Sequence, residues 1–215
     1  MFTMIKDNLF AILSSIPSEV TLVAVSKTKP IDRIEEAYES GQLDFGENKV
    51  QEIVDKAAVM SKNIRWHMIG HLQRNKVKYI APFISLIHSV DSTRLVNEID
   101  KQGKKNDRVI DCLLQVRIAQ EETKFGLTYE NCDTLLQQFD CTNVRIRGLM
   151  GMASFTTNQD QIEEEFRSLQ QYYDQHQSQH QWDILSMGMS GDYRLALTCG
   201  SNMIRVGSKI FGVRN

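Results

Sequence analysis

The stretch VTLVAVSK at residues 20–27, followed by Thr28, Lys29 and Pro30, decides which fold the sequence favours. Its β-branched and apolar residues are typical of a buried strand, and Pro30 suits the first turn of a following helix. Lys27 at the carboxyl end of such a strand is unusual, because burying an ammonium group is costly. A desolvated lysine has a lowered pKa and becomes a nucleophile towards carbonyl groups. Position alone does not distinguish a reactive lysine from a solvated loop lysine.

Strand-like and helix-like segments alternate along the rest of the chain. Seven further strands are predicted at residues 43–45, 65–69, 84–90, 109–116, 144–150, 183–186 and 203–206. An amphipathic helix precedes the first strand, with apolar residues at helical spacing at Phe2, Ile5, Leu9, Ile12 and Ile16. About eight strand–helix units predict a (β/α)8 TIM barrel with one extra N-terminal helix, and a single domain over residues 1–215. A doubly wound open sheet is the alternative, but no GxGxxG motif follows the first strand.

Composition excludes several classes of protein. The chain has 215 residues, 41% hydrophobic and 24% charged, and a net charge of −2, which favours neither nucleic acid nor an anionic membrane. No run approaches the roughly 18 apolar residues of a membrane span, and residues 9–13 do not form a signal peptide. The four cysteines, Cys112, Cys132, Cys141 and Cys199, have neither the spacing of zinc ligands nor a CxxC motif. A chain of this size does not need a disulfide framework, so we expect reduced thiols and therefore a cytoplasmic protein.

Two other features have the spacing of ligand sites but plainer explanations. His176 and His180 are four residues apart, which suits a metal, yet the surrounding glutamine-rich segment predicts a solvated helix end. Arg74, Lys76 and Lys78 lie on a basic helix predicted over residues 73–80, and an exposed amphipathic face explains them. The sequence therefore predicts neither a metal site nor a nucleic-acid site.

Polar residues cluster where the predicted strands end, which is where (β/α)8 barrels carry their functional groups. After the seventh and eighth strands, the small residues Ser190, Gly191, Gly207 and Ser208 allow backbone N–H groups to approach an anion. These two loops are the usual phosphate site of such barrels. A phosphate on one side and a Schiff-base lysine on the other indicate a phosphorylated carbonyl ligand. Pyridoxal 5'-phosphate (PLP) and a sugar phosphate both fit.

Several motifs occur in order along nearly the whole chain. They are VSKTKP (25–30), FGEN (45–48), WHMIGHLQ (66–73), KFG (124–126), RGLM (147–150), LSMGMS (185–190), RVG (205–207) and IFG (210–212). In this order they resemble the pyridoxal phosphate homeostasis protein family, single-domain relatives of the alanine racemase barrel. The resemblance implies a fold-type III PLP-binding barrel.

The same resemblance assigns roles to individual residues. It implies that Lys27 carries PLP as an internal aldimine and that Arg205 faces the pyridine nitrogen. The phosphate would be held by Ser190, Gly207 and Ser208. It also places Asn48 near the cofactor ring. His67, within the third strand, has two interpretations, a cofactor contact or a structural histidine.

One position departs from the family pattern. Arg194 stands where the family commonly has a glutamate, shortly after the Ser-x-Asp of the phosphate loop. At this position the chain therefore lacks the acidic group that is common in the family. The residues assigned to the cofactor are unaffected.

An arginine opposite the pyridine nitrogen favours holding the cofactor over using it. Arginine stays protonated and only donates hydrogen bonds, so the ring nitrogen stays unprotonated and the ring is a poorer electron sink. Racemases of the related fold tolerate such an arginine, but they also need a second acid/base, which the resemblance places in an extra β-domain of a partner subunit, and no residues follow Asn215 to form one. We therefore expect a monomeric, non-catalytic PLP-binding protein of intracellular PLP and amino-acid homeostasis, with PLP-dependent apoenzymes as candidate partners. The alternatives are a PLP-dependent amino-acid racemase or lyase, and a Schiff-base aldolase acting on a sugar phosphate.

Overall fold

The computed structural model describes residues 5–120 and 125–212. Within these residues eight parallel strands close into a barrel in chain order, and β1 pairs with both β2 and β8. The strands are β1 Thr21–Val25, β2 Asp44–Glu47, β3 Arg65–Met68, β4 Leu86–Val90, β5 Ile110–Val116, β6 Val144–Gly151, β7 Ile184–Ser186 and β8 Met203–Val206. The closed parallel barrel confirms the predicted (β/α)8 fold and excludes the open sheet.

Helices surround the barrel. They are α1 Ile5–Leu13, α2 Ile31–Glu39, α3 Val50–Val59, α4 Val77–Ile80, α5 Thr93–Lys105, α6 Tyr129–Gln137, α7 Gln159–His180, α8 Tyr193–Thr198 and α9 Ser208–Phe211. The extra N-terminal helix is present as α1, although Phe2, predicted to lie on it, is outside the described residues. The predicted basic helix is a 3₁₀ turn, Arg74–Lys76, that leads into the short α4. Across residues 5–120 and 125–212, no helix combines the length and apolarity needed to cross a membrane.

Two apolar layers stabilise the barrel. The larger one lies between strands and helices, and Phe45, Phe166 and Ile34 are among its fully buried side chains. The smaller one lies inside the barrel and takes one residue from each of six strands: Val23, Leu86, Leu113, Met150, Ile184 and Met203. Because this inner cluster fills the middle of the barrel, cavities remain at its two ends.

Gly148 on β6 is the glycine that the barrel tolerates least if replaced. The β5–β6 register shifts by one residue at this point, its φ is +146°, and a Cβ would lie 1.9 Å from the carbonyl oxygen of Ile184. We expect Gly148→Ala to lower the free energy of unfolding by about 3 kcal/mol or more, since backbone strain and a clash with β7 act together.

Urea denaturation of the purified variants measures this loss. Gly191→Ala is the matched control, because a Cβ there would meet nothing within 4 Å and its φ is not positive. The control should stay within about 0.5 kcal/mol of the unsubstituted protein. Equal stabilities for the two variants would contradict the assigned register.

Candidate functional site

A cavity of about 570 Å³ opens at the carboxyl ends of the strands. Six of the seven site residues predicted from the sequence line it: Lys27, Asn48, Ser190, Arg205, Gly207 and Ser208. They follow or belong to β1, β2, β7 and β8, and closure of the barrel brings them together. Their role in binding stays a prediction, but their common location is a property of the fold.

Lys27 lies in a tight turn at the rim of the cavity. The sequence predicted that the first strand reaches this residue, but β1 ends two residues earlier, at Val25. The Ser26 N–H still donates to the Gly46 carbonyl at 3.1 Å, and the Lys29 N–H donates back to the Ser26 carbonyl at 3.0 Å. These bonds place the half-buried Lys27 on the cavity wall.

A buried ion pair supports this turn from behind. The Lys56 ammonium group donates to Glu47 Oε1 at 2.7 Å and to the Ser26 carbonyl at 3.0 Å, and the Ser26 hydroxyl donates to the same carboxylate oxygen at 2.6 Å. Glu52 Oε2 accepts from the Thr28 N–H at 2.8 Å and from Lys56 at 3.2 Å. Ser26 and Thr28, the residues on either side of Lys27, are therefore hydrogen-bonded to side chains of β2 and α3.

The contribution of this cluster to the stability of the protein depends on pH because of Glu47. Burial raises the pKa of Glu47 from an ordinary 4.5 to about 7, against the hydrogen bonds from Lys56 and Ser26. A carboxyl group with a raised folded-state pKa stabilises the protein below its unfolded pKa, and this stabilisation is lost as the pH rises through the folded value. Relative to Glu47→Gln, the free energy of unfolding should therefore fall by about 3 kcal/mol between pH 4.5 and pH 7.

Denaturation curves recorded across this pH range measure the difference directly. The glutamine at position 47 keeps an oxygen acceptor for Lys56 and Ser26. A pH-independent difference for Glu47→Gln would show that the carboxyl group is ionised throughout.

Arg205 on β8 brings a buried cation to the cavity wall. One guanidinium nitrogen, Nη1, donates to the Ser186 carbonyl at 2.9 Å and to the Ser186 hydroxyl at 2.5 Å. The other, Nη2, donates to the Gly151 carbonyl at 3.0 Å. Burial lowers the pKa of Arg205 to about 10, partly opposed by Asp192, so the side chain stays cationic at neutral pH.

The loops after β7 and β8 are joined and lined by small residues. Ser190 Oγ accepts a hydrogen bond from the Gly207 N–H at 3.2 Å. A Cβ on Gly191 would meet nothing within 4 Å, and one on Gly207 would lie 3.0 Å from the Val25 carbonyl oxygen. Ser208 begins the short α9, in which the N–H groups of Ile210 and Phe211 donate to the Gly207 carbonyl at 2.9 Å, whereas those of Ser208 and Lys209 have no backbone acceptor among the described residues. Open space beside backbone donors suits an anion.

His67 is the predicted site residue that the structure does not place with the others. Its Nε2 lies 3.0 Å from Asp44 Oδ1, and its Nδ1 lies 2.9 Å from Nε2 of His88. It is buried and faces the smaller cavity at the opposite, amino end of the barrel, together with Arg65. Of the two interpretations that the sequence left open, this position favours a structural histidine.

The residue that departs from the family pattern lies outside the cavity. Arg194 is exposed on α8, and its guanidinium carbon lies 6.0 Å from the centre of the Tyr193 ring. The departure therefore removes no side chain from the cavity wall.

The two histidines at metal-compatible spacing pack against aromatic side chains. The rings of His176 and His180 lie 5.8 Å and 5.4 Å from the Trp182 ring, and His176 Nε2 is 3.5 Å from Asp133. Both are half-buried, so the predicted solvated helix end is only partly right. In the described part of the chain, no three His, Cys, Asp or Glu side chains are grouped as a metal site.

Sequence reasoning missed the buried polar residues that support the cavity wall. Glu47 and Lys56 brace the turn of Lys27, and Ser186 fixes Arg205. The sequence does contain one signal of such residues, namely a polar residue within an apolar strand pattern, as for His88 in LIHSV. A polar side chain buried in this way requires a hydrogen-bond partner, and the sequence alone does not identify that partner.

Fold and cavity together define a class: a (β/α)8 barrel with a lysine just after β1, a buried arginine on β8 and anion-suited loops after β7 and β8. The chain belongs to the family of the alanine racemase N-terminal domain, whose model matches residues 3–215, and to the pyridoxal phosphate homeostasis proteins. This confirms the family resemblance inferred from the motifs.

Relatives with this name match most of the chain. The pyridoxal phosphate homeostasis protein of Haemophilus influenzae is 38% identical over 203 residues, covering 91% of this chain and 86% of that protein. The one from Aquifex aeolicus is 39% identical over 197 residues, covering 90% and 86%.

Solved structures agree with the fold. PipY of Synechococcus elongatus, determined with PLP bound, is 34% identical with a TM-score of 0.90 and covers 97% of this chain and 100% of that chain. An alanine racemase of Clostridium difficile has a TM-score of 0.80 at 10% identity, covering 98% of this chain and 57% of that chain. At such low identity the racemase supports the fold alone.

Proposed function

We propose that this protein binds PLP in the cavity at the carboxyl end of the barrel, holds it covalently through Lys27, and acts in intracellular PLP homeostasis without substantial turnover of amino acids. One observation carries the proposal: Lys27, the Arg205 cation and the two small-residue loops line one cavity. The names of the relatives and the PLP-bound PipY structure support it.

The donor set of the cavity fits PLP. A volume of about 570 Å³ lies within the usual range for small-ligand sites. The open space beside Gly191 and the joined loops of Ser190 and Gly207 suit a phosphate group. Arg205 offers hydrogen-bond donors only, which suits an unprotonated ring nitrogen.

When bound, PLP supplies an aldehyde and an electron-accepting pyridine ring. Lys27 would hold the group through its side-chain amine, which is able to condense with an aldehyde. The contacts of Ser26 and Thr28 would keep the lysine turn in place. Ser190, Gly207 and Ser208 would hold the phosphate, and Asn48 would contribute to the wall beside the cofactor.

The charge of Arg205 supports the proposal that the cofactor is retained without turnover. Arg205 stays cationic and offers only hydrogen-bond donors to the ring nitrogen. It therefore does not promote the protonation of this nitrogen that makes the ring a strong electron sink. The relatives' description as homeostasis proteins fits this reading.

Racemisation assays test the absence of turnover. The PLP-loaded protein is incubated with L-alanine, and D-alanine is measured against a control of free PLP at the same concentration. We expect the two rates to be indistinguishable. Racemisation well above the control that disappears in Lys27→Ala would identify the protein as an enzyme.

A further inference from the structure

Five polar side chains cross the interior of the barrel from one cavity to the other. We call them the polar chain: Arg205, Ser186, His88, His67 and Asp44. Successive contacts measure 2.5 Å from Arg205 Nη1 to Ser186 Oγ, 3.4 Å from that oxygen to His88 Nδ1, and 2.9 Å from His88 Nε2 to His67 Nδ1. The last contact, from His67 Nε2 to Asp44 Oδ1, is 3.0 Å.

All five residues are buried, and they come from β8, β7, β4, β3 and β2 in that order. A hydrogen-bonded line of this kind is rare inside a barrel otherwise filled by apolar residues, because each unsatisfied buried group costs free energy. Arg205 ends the line at the predicted cofactor site, and Asp44 ends it at the opposite mouth.

The cationic end fixes the direction of the hydrogen bonds. Arg205 has donors only, so Ser186 Oγ must accept from it. The other partner of this hydroxyl among the described residues is His88 Nδ1, so the Ser186 proton points there and Nδ1 is an acceptor. His88 therefore carries its proton on Nε2 and donates it to His67.

The anionic end requires the same direction. Hydrogen bonds from Arg65 and His67 lower the pKa of Asp44 to about 2 in spite of its burial, so its carboxylate accepts only. His67 thus donates from Nε2 and accepts at Nδ1. Complete burial, with the nearby charge of Arg205, lowers the pKa of His88 and keeps this ring neutral. Reversing the chain would leave the Ser186 hydroxyl proton without an acceptor in the described part of the protein.

We propose that Asp44, His67, His88 and Ser186 form one directional hydrogen-bond chain that positions the Arg205 guanidinium at the cofactor ring, so that these four are positioning residues of the PLP site. The positioning role rests on the proposed function. The direction of the chain does not, because it is a property of the protein without ligand.

Histidine tautomers in the ligand-free protein test the direction. The chain has five histidines, and ¹⁵N NMR of histidine-labelled protein separates Nε2–H from Nδ1–H rings. His67→Gln and His88→Gln assign the two signals by their loss. We expect both rings as single Nε2–H tautomers at pH 7. A ring protonated on Nδ1, alone or in addition, would overturn the proposed direction.

Paired serine variants test the positioning. Ser186→Ala removes the link to Arg205, whereas Ser89→Ala removes an equally buried strand hydroxyl that has no hydrogen-bond partner among the described residues. We expect Ser186→Ala to weaken PLP binding about tenfold and to shift the absorbance band of bound PLP, because a bond to a charged group is lost. Ser89→Ala should change neither quantity.

Equal affinities and identical bands for the two serine variants would overturn the positioning role. If the tautomers are as expected but neither the unsubstituted protein nor any variant binds PLP, the proposed function fails while the chain itself stands. The two proposals therefore fail in distinguishable ways.

Discussion

Replacing Lys27 with alanine should abolish covalent PLP binding and raise the dissociation constant at least about hundredfold. No other contact in the cavity would replace the covalent bond that we propose for Lys27. Loss of the visible absorbance of bound PLP, together with equilibrium dialysis, measures both effects.

Two further variants separate the covalent bond from charge and position. Lys27→Arg keeps the positive charge but has no amine that condenses with an aldehyde, so it should also lose the band. Lys29 lines the same cavity, and its ammonium group donates to the carbonyls of Phe211 and Gly212 at 3.2 Å, so Lys29→Gln should keep the band. Retention of the band in Lys27→Ala would mean that another amine carries the cofactor.

Removing the phosphate from the ligand should have the second large effect. Pyridoxal keeps the aldehyde and the ring but loses the dianion that the β7 and β8 loops are suited to bind. We expect pyridoxal to bind about a hundredfold more weakly than PLP, because charge-assisted hydrogen bonds to the backbone N–H groups are lost. Competition dialysis against PLP measures the ratio.

Ser190→Ala sharpens this comparison. It removes the hydroxyl that joins the two loops at Gly207, so affinity for PLP should fall while affinity for pyridoxal stays nearly constant. Ser89→Ala, a buried serine far from the loops in sequence, serves as the control. Equal affinities of the unsubstituted protein for PLP and pyridoxal would show that the β7 and β8 loops do not bind the phosphate.

The order of elements was predictable from the sequence because alternation of strand and helix is a local property. All eight strands occur near their predicted positions, from β1 to β8. Boundaries were less accurate. The apolar pattern runs through residues 20–27, but β1 stops at Val25, since Thr28 adopts a positive φ of 65° and the chain turns.

The site was only partly predictable. Sequence patterns show which side chains of a strand point into the barrel, but they do not show how far along the barrel axis each side chain lies. Alternation along β3 places His67 inside the barrel, yet strand tilt puts it one layer below the cavity, and Ile69, two residues later, lines the wall instead. The contact of Glu47 with Lys56 joins a strand end to the middle of α3, and no local pattern predicts it. Small residues at strand ends were recognisable because anion binding requires them directly.

Reduction of the PLP-loaded protein with borohydride, followed by peptide mass spectrometry, tests the central claim most directly. Reduction converts the C=N bond into a stable secondary amine and leaves the cofactor's mass on the residue that held it. We predict a single labelled peptide, with the label on Lys27 and none on Lys29 or Lys56. A label on any other lysine, or a protein that stays unlabelled after incubation with excess PLP, would contradict the account.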